Sequence, residues 1–598
     1  MRNSEIKFKI YPFISGLISF FFYLITINPS VDFIDSGELT AVAYTLGVSH
    51  PTGYPLFTIV SHLFLLSPIP LKVILKANLF SSIVSSLALY FFTKSLILIS
   101  DKKSKSVNFF ASISALIFGF TQFFWEQAIT FEVYSFQILL VSLLLFSIFK
   151  FEATDDVNYL LLFSFLLGLS FTNHLTIVFL LPSLVYIFLT DFVKRIKPGV
   201  LAFMFLFFIL GLTPFIYLPI RASSGVVLNW GDPSTLENFI NHITGKQYRV
   251  WAFSSLEVMA KQFSYFLSKF PENFGYLALF PAFIGFWKIF KLNRKIFYFA
   301  FLSFLTCVFI SSNYDIHDIN AYFLIALVMT SIWIFYGLTH LPRKIPEPFA
   351  VTIGVLCLLL PISFNFKKVD KSKNYLPEIY TLHILKNVKP NAIIISYQWD
   401  YFVSPSLYFQ LVEKVRNDIV IIDKELLRRS WYIKQLQRNY PWLIEKSKNE
   451  VEAFLVELYK FEHDLPYDPM EIERRFVNMI NSFIDKNIND RPIYLGIEIE
   501  PEFGAKYNKV PEGFMFRLYS DFEYKTYDYV PIDVSKHCFD VYSKNLLNLI
   551  VRMVINRGIY EFRFGKIENA KFYFDEALRI NPESVEAKLW LERLRDVR

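Results

Sequence analysis

Up to Phe366 the sequence is a succession of long apolar runs separated by short polar stretches, and beyond it such runs stop. Inside hydrocarbon every backbone amide must be hydrogen-bonded within the chain, and a run of roughly 20 apolar residues achieves this as an α-helix. Residues 1–365 are therefore expected to form an α-helical polytopic membrane domain. A soluble part rich in Lys, Arg, Glu, Asn and Tyr should follow. With 54% hydrophobic and only 19% charged residues, the balance of an ordinary soluble protein is excluded.

Basic residues orient the runs, because Lys and Arg collect at cytoplasmic ends. The basic start places the N-terminus inside, and residues 11–27 leave the cytoplasm as an uncleaved anchor, since Ile27, Asn28 and Pro29 offer no small-residue cleavage site. The next apolar stretch, 54–66, is short and ends between Pro68 and Pro70, which reads as an interfacial or re-entrant segment. Taking it as non-spanning keeps Lys102, Lys103 and Lys105 in the cytoplasm. Ten further spans are then expected at 77–99, 108–124, 134–149, 159–171, 175–189, 200–220, 274–290, 297–311, 321–338 and 349–364. Clusters at Lys194, Arg195 and Lys197, at Lys291, Arg294 and Lys295, and at Arg343 and Lys344 all fall inside. The result is about eleven spans, with the C-terminal part outside, in the periplasm for a bacterial inner-membrane protein. The formal charge of +7 lies in these clusters and forms no stripe, so no nucleic-acid partner is expected. Cys307, Cys357 and Cys538 are too few and scattered for a disulfide framework or zinc site.

The spans carry almost no ionisable residue away from their ends, whereas transporters and proton pumps place such groups near the midplane. Polar chemistry collects in the outer loops instead. The first of these carries Asp32, Asp35 and Glu38, followed by Leu46-Gly47-Val48-Ser49-His50-Pro51-Thr52-Gly53-Tyr54-Pro55. If a helix begins at Ser36, Asp35 and Glu38 can face one cavity. A carboxylate there can act as general base, taking the proton of an acceptor hydroxyl as it attacks an anomeric carbon. Equally, Asp35 can cap that helix with Glu38 completing the box, and the Pro-Thr-Gly-Tyr-Pro stretch can be a turn laying the next helix on the membrane surface.

Asp35-Ser36-Gly37-Glu38 together with Leu46 to Leu56 closely resembles the signature of the protein O-mannosyltransferase family of the transmembrane protein 260 type, of the GT-C class of glycosyltransferases. The resemblance extends to Gly168-Leu169-Ser170-Phe171-Thr172-Asn173-His174-Leu175-Thr176, to Leu218-Pro219-Ile220-Arg221 with Asn229-Trp230-Gly231-Asp232-Pro233, and to Leu426-Leu427-Arg428-Arg429-Ser430-Trp431-Tyr432. It implies a GT-C-like membrane domain, a polyprenyl- or dolichyl-phosphate-linked sugar as donor, and inversion at the anomeric carbon. It makes Asp35 the leading candidate for catalytic base and Glu38 its supporting carboxylate. Thr52 stands where the family commonly has a second proline.

A lipid-phosphate leaving group needs cationic or hydrogen-bonding partners at the outer membrane edge. His50, His174 and Arg221 qualify by position, although His174 also reads as a polar residue at a helix break and Arg221 as a snorkelling end residue. Asn229, Trp230 and Asp232 open a long outer loop and are candidate substrate contacts; Trp230 and Trp251 suit either a sugar ring or the membrane interface. Asp315, His317 and Asp318 have a spacing that can ligate a divalent metal, but three ligands on one short loop are a weak signal. No resident metal or cofactor is expected, and metal dependence stays open.

In the soluble part, apolar runs at 392–396, 419–422 and 493–497 and a helical pattern at 404–413 predict a small α/β domain over 366–545. Gly558, Gly565, Ala570, Phe574, Ala577 and Pro582 follow the spacing of a tetratricopeptide-like helical repeat, which with its cap fills 546–598 and either docks an acceptor or packs on the domain before it. The sequence thus reads as a membrane glycosyltransferase moving a hexose, mannose by resemblance, to a hydroxyl of protein Ser or Thr. Transfer to glycan or lipid, a flippase of lipid-linked intermediates and a membrane scaffold are the competing readings.

Overall fold

The computed structural model describes residues 2–101, 104–341, 346–535, 537 and 540–596. Lys102, Lys103, Arg343, Lys344 and Cys538 lie outside the described residues. The chain forms two compact units: Met1–Pro29 with Val48–Ser223 and Pro233–Ser372, and Ser30–Gly47 with Ser224–Asp232 and Lys373–Arg598.

The first unit is helical, and the protein is a multi-pass membrane protein. Among the described residues seven helices are long and apolar enough to cross a bilayer: Val73–Leu98, Val133–Thr154, Leu175–Arg195, Pro198–Ser223, Arg294–Ser312, Ile319–Thr339 and Glu347–Val369. The bent pair Lys105–Gly119 and Gln122–Ile129 makes eight if counted as one span. The other three expected runs form shorter helices, Ile10–Thr26, Asn158–Phe171 and Leu279–Leu292, so length and apolarity alone do not reach a count of eleven. Pro55–Leu65 has 11 residues, about 16 Å of helix, which is too short to span.

Helix Pro198–Ser223 exposes Phe203, Phe205, Leu206, Ile209 and Leu210, an apolar surface that requires lipid, whereas Ile319–Thr339 is buried almost throughout. Hydrocarbon gives helices no hydrophobic drive toward each other, so close packing must hold them. Gly285 and Gly337 supply it: a methyl group on Gly285 would lie 1.7 Å from the Trp333 carbonyl oxygen.

The expected straight span at 108–124 is broken by a 74° bend. A bend strands backbone groups that lipid cannot satisfy. Here the buried Asn365 Nδ2 donates to the Phe120 carbonyl at 2.9 Å, and the Phe123 amide donates to Asn273 Oδ1 at 3.0 Å. The basic cluster near Arg195 does more than set topology. Arg195 bridges Glu152 and Asp191 at 2.9 Å each and also Asp155, while Lys295 pairs with Glu152 and Asp191, tying helix ends together.

The second unit is built on a five-stranded sheet: β1 (Ile393–Ser396), β2 (Val420–Asp423), β3 (Ile493–Leu495), β4 (Asn508–Glu512) and β5 (Met515–Tyr519), in the order β2-β1-β3-β5-β4. Central β1 is parallel to β2 and β3, with Ile394 opposite both Ile421 and Tyr494, and its Ile393, Ile394 and Ile395 are buried on both faces. The β4–β5 hairpin was not expected from sequence; it turns at Gly513, whose φ of 61° suits glycine.

Helices Val541–Arg563 and Ile567–Ile580 cross where Gly558 meets the Phe574 ring, and Val585–Asp596 follows. They are fastened to the sheet by Arg557. Its guanidinium pairs with buried Glu561 at 2.5 Å and donates to the carbonyls of Pro511 at 3.0 Å and Lys525 at 2.8 Å. This part of the chain therefore packs on its own domain.

Candidate active site

Residues 30–47, expected as a membrane-domain loop, belong to the second unit. The helix they form, Ser36–Thr45, lies against helix Ser404–Leu411 with Gly37 at the contact, where a methyl group would come 2.2 Å from the Ser404 carbonyl oxygen. Glycine in Asp35-Ser36-Gly37-Glu38 is thus a packing requirement. The buried Glu38 donates its amide to Ser404 Oγ at 3.0 Å, and Ile34 donates its amide to the Asp400 carbonyl at 3.2 Å. Phe33 packs edge-on to Tyr401, with ring centroids 5.7 Å apart.

The three carboxylates of this loop separate by role. Asp32 is buried and accepts from Asn374 Nδ2 at 2.9 Å, a structural bond. Asp35 occupies the N-cap position, yet its side chain makes no capping bond. Its Oδ1 instead accepts the indole N–H of Trp399 at 2.7 Å. Carboxylate oxygens of Asp35 and Glu38 lie within 4.8 Å of each other, so the two acids converge. One is half-buried and the other buried.

Asn229, Trp230 and Asp232 form a turn on the same unit. The Asn229 amide donates to Gln435 Oε1 at 2.7 Å, and Asn229 Nδ2 donates to Asp232 Oδ1 at 3.1 Å. Trp230 is a core residue with little face for a sugar. Its ring stands perpendicular to Trp399 at 5.3 Å and lies 5.2 Å from Trp431. Arg428, in the matching Leu-Leu-Arg-Arg segment, pairs with Glu473 at 2.7 Å and stacks on Phe476, an intradomain contact.

In the first unit His174 sits in an aromatic box. It stacks on Tyr54 at 5.6 Å and meets Tyr134 at 4.8 Å and Tyr322 at 5.7 Å. Its Nδ1 accepts the Thr176 amide at 3.1 Å, which in the neutral ring leaves the proton on Nε2. Burial, helped by His50, pushes the His174 pKa down to about 3. The neutral ring carries a hydrogen-bond donor at Nε2 and no charge. His242 is likewise buried and pushed down to about 3 by burial and by His50, beside Gly53, whose φ of 87° no other residue adopts at ease. His50 itself is half-buried, with its ring 5.0 Å from Tyr54 and 6.4 Å from Tyr248. Tyr248 stacks on Trp251 at 5.2 Å. Arg221 is half-buried and reaches Tyr217, one turn earlier. Asp315 and His317 are exposed and are not gathered with Asp318 into a ligand set among the described residues.

Residues 35–197 match the family model described as the protein O-mannosyl-transferase TMEM260 N-terminal domain, and residues 378–442 match TMEM260-associated domain 2. Over these two segments the chain is similar to the TMEM260 family. The TMEM260 matches hold both the Asp35 loop and the Trp399 segment that binds it. Relatives include the protein O-mannosyl-transferase tmem260 of Dictyostelium discoideum, 26% identical over 562 aligned positions and 83% of this chain. The TMEM260 of Mus musculus is 25% identical over 455 positions and 70% of this chain. This chain spans 64% and 63% of the lengths of those two proteins, just under two thirds. Structures of ArnT from Cupriavidus metallidurans, apo and bound to undecaprenyl phosphate, align with 70% of this chain and 90% of theirs, with TM-scores of 0.45 and 0.46 and identities of 11% and 10%.

Trp399 was missed by sequence reasoning. It follows the carboxyl end of parallel strand β1, where open α/β sheets place their functional groups, and that position was the available signal.

Proposed function

We propose that this protein is an inverting GT-C-type membrane glycosyltransferase that moves a hexose, mannose by family resemblance, from a polyprenyl- or dolichyl-phosphate donor to a hydroxyl, that of protein Ser or Thr. The observation that carries the reading is the convergent pair Asp35 and Glu38, with Asp35 held by an indole N–H and not used as a helix cap.

Asp35 is the base. The acceptor oxygen attacks the anomeric carbon from the face opposite the phosphate, and its proton passes to the Asp35 carboxylate. The bond between the anomeric carbon and the phosphate oxygen breaks, and the lipid phosphate leaves with that electron pair. A base in this role is worth about 10²–10⁴ in rate. Glu38 is assigned to hold Asp35 and the acceptor in register. Arg221 supplies the cation for the leaving phosphate, and His50 and neutral His174 supply hydrogen bonds. Asn229, Trp230 and Asp232 form the turn that backs Trp399. By the charge rule the chemistry lies on the outer face, with the N-terminus cytoplasmic and the second unit extracytoplasmic, as in a bacterial inner-membrane protein.

The test is to incubate the purified protein with polyprenyl-phosphate mannose and a Ser/Thr-containing protein acceptor, then weigh the product. A gain of one hexose on the acceptor, with the configuration at the anomeric carbon inverted, is expected. Transbilayer movement of the donor with no transfer would replace the enzyme with a flippase.

A further inference from the structure

The proposed base is set in place by the second unit, and one side chain of that unit touches it directly. Trp399 donates its indole N–H to Asp35 Oδ1 at 2.7 Å, a short bond of the kind made to a charged acceptor. Indole nitrogen is a donor only, so it cannot accept the proton that the reaction releases. What it can do is fix the plane of the carboxylate.

The donor is itself held. Trp399 begins the segment that follows β1, and its amide donates to the Tyr397 carbonyl at 2.8 Å. The neighbouring Gln398 is buried, accepts from the Tyr380 hydroxyl at 2.9 Å and donates to Glu498 at 2.6 Å. The Trp230 ring closes one side of the indole. Two bonds from backbone amides, Ile34 to the Asp400 carbonyl and Glu38 to Ser404 Oγ, clamp the acid loop on either side of Asp35.

We infer that Trp399 is the positioning residue of Asp35, acting through its N–H bond and not through bulk. The inference rests on Asp35 being the base and predicts what removal of one hydrogen does.

Trp399 is replaced in the full-length protein by 3-benzothienylalanine, which keeps the bicyclic shape and puts sulfur where the N–H was, and separately by phenylalanine. Transfer from polyprenyl-phosphate mannose is measured alongside Asp35→Asn. Both Trp399 variants are expected to lose about 10- to 100-fold in kcat with KM for the donor within about twofold, as a loosened catalytic group does. The benzothienyl protein should melt where the wild type melts, which separates the lost bond from lost packing even if Trp399→Phe folds poorly. Wild-type kcat in the benzothienyl protein, or a rise in KM alone, overturns the inference while an inactive Asp35→Asn leaves the base assignment standing. An active Asp35→Asn removes both.

Discussion

Gly37→Ala adds one methyl group at the point where the acid-bearing helix meets helix Ser404–Leu411. That methyl would stand 2.2 Å from the Ser404 carbonyl oxygen, 2.5 Å from its carbon and 2.7 Å from the Pro405 Cα, all of them backbone atoms that no rotamer change can withdraw. Ordinary contact starts at 3.4 Å, so the helix must retreat by about 1.2 Å, the difference between 3.4 and 2.2 Å. Overpacking of this kind costs about 1–3 kcal/mol of stability. The retreat carries Asp35 and Glu38 with it, and a displacement of about 1 Å at a catalytic group costs about 10²-fold in rate, or about 2.7 kcal/mol of barrier. Steady-state transfer from a lipid-linked donor and thermal unfolding in detergent measure the two effects. Gly199→Ala is the control, because nothing lies within 4 Å of a methyl group there. If Gly37→Ala keeps kcat within about threefold of wild type, catalysis does not depend on where this helix sits, and the reasoning from Gly37 to Asp35 fails.

Other predictions concern stability. Glu561→Ala leaves the buried Arg557 guanidinium without its carboxylate and should cost about 3–5 kcal/mol, read as a lower melting temperature of the second unit; a loss below about 1 kcal/mol would show the pair to be hydrated. His174 and His242 are neutral in the fold to about pH 3, whereas in the unfolded chain they take up protons from about pH 6.5 downward. The unfolded state then binds more protons between those values, so the two together should remove up to about 2.7 kcal/mol of stability per pH unit as pH falls below 6.5. Replacing both by glutamine should flatten that slope in pH-dependent melting, and an unchanged slope would place the titration elsewhere. Asp423 behaves in the opposite sense, since burial lifts its carboxyl to about 7. Its protonated form favours the fold, stability is lost as pH rises from about 4 to 7, and Asp423→Asn should raise the melting temperature at pH 8.

The apolar runs marked the membrane helices because burial in lipid demands long, continuous apolarity, and the Ile-rich runs marked β1, β2 and β3 because central parallel strands are buried on both faces. What stayed hidden depends on partners far along the chain. The bend after Gly119 is stabilised by Asn273 and Asn365, 150 and 245 residues away from the groups they satisfy. No local pattern announces such a break. Strand β4 of the hairpin is the edge strand and carries Pro511, Lys509 and Glu512, so it lacks the apolar alternation that marks a half-buried strand. Within the candidate site the acids were legible from their motif, but Trp399 bonds Asp35 across 364 residues. Trp230, readable as a sugar platform from its place in a polar loop, is instead packed into the core of the second unit. The same distance effect explains why residues 30–47 look like a membrane-domain loop in sequence and belong to the second unit in space.

The most direct measurement is single-turnover transfer by Asp35→Asn, with preloaded polyprenyl-phosphate mannose and a hydroxyl acceptor, beside wild type. The Asn side chain keeps an oxygen for the Trp399 N–H but cannot take a proton, so the chemical step should fall by about 10²–10⁴ while donor binding holds. Transfer at the wild-type rate would contradict the account, because the acceptor's proton would then be leaving to some group other than Asp35.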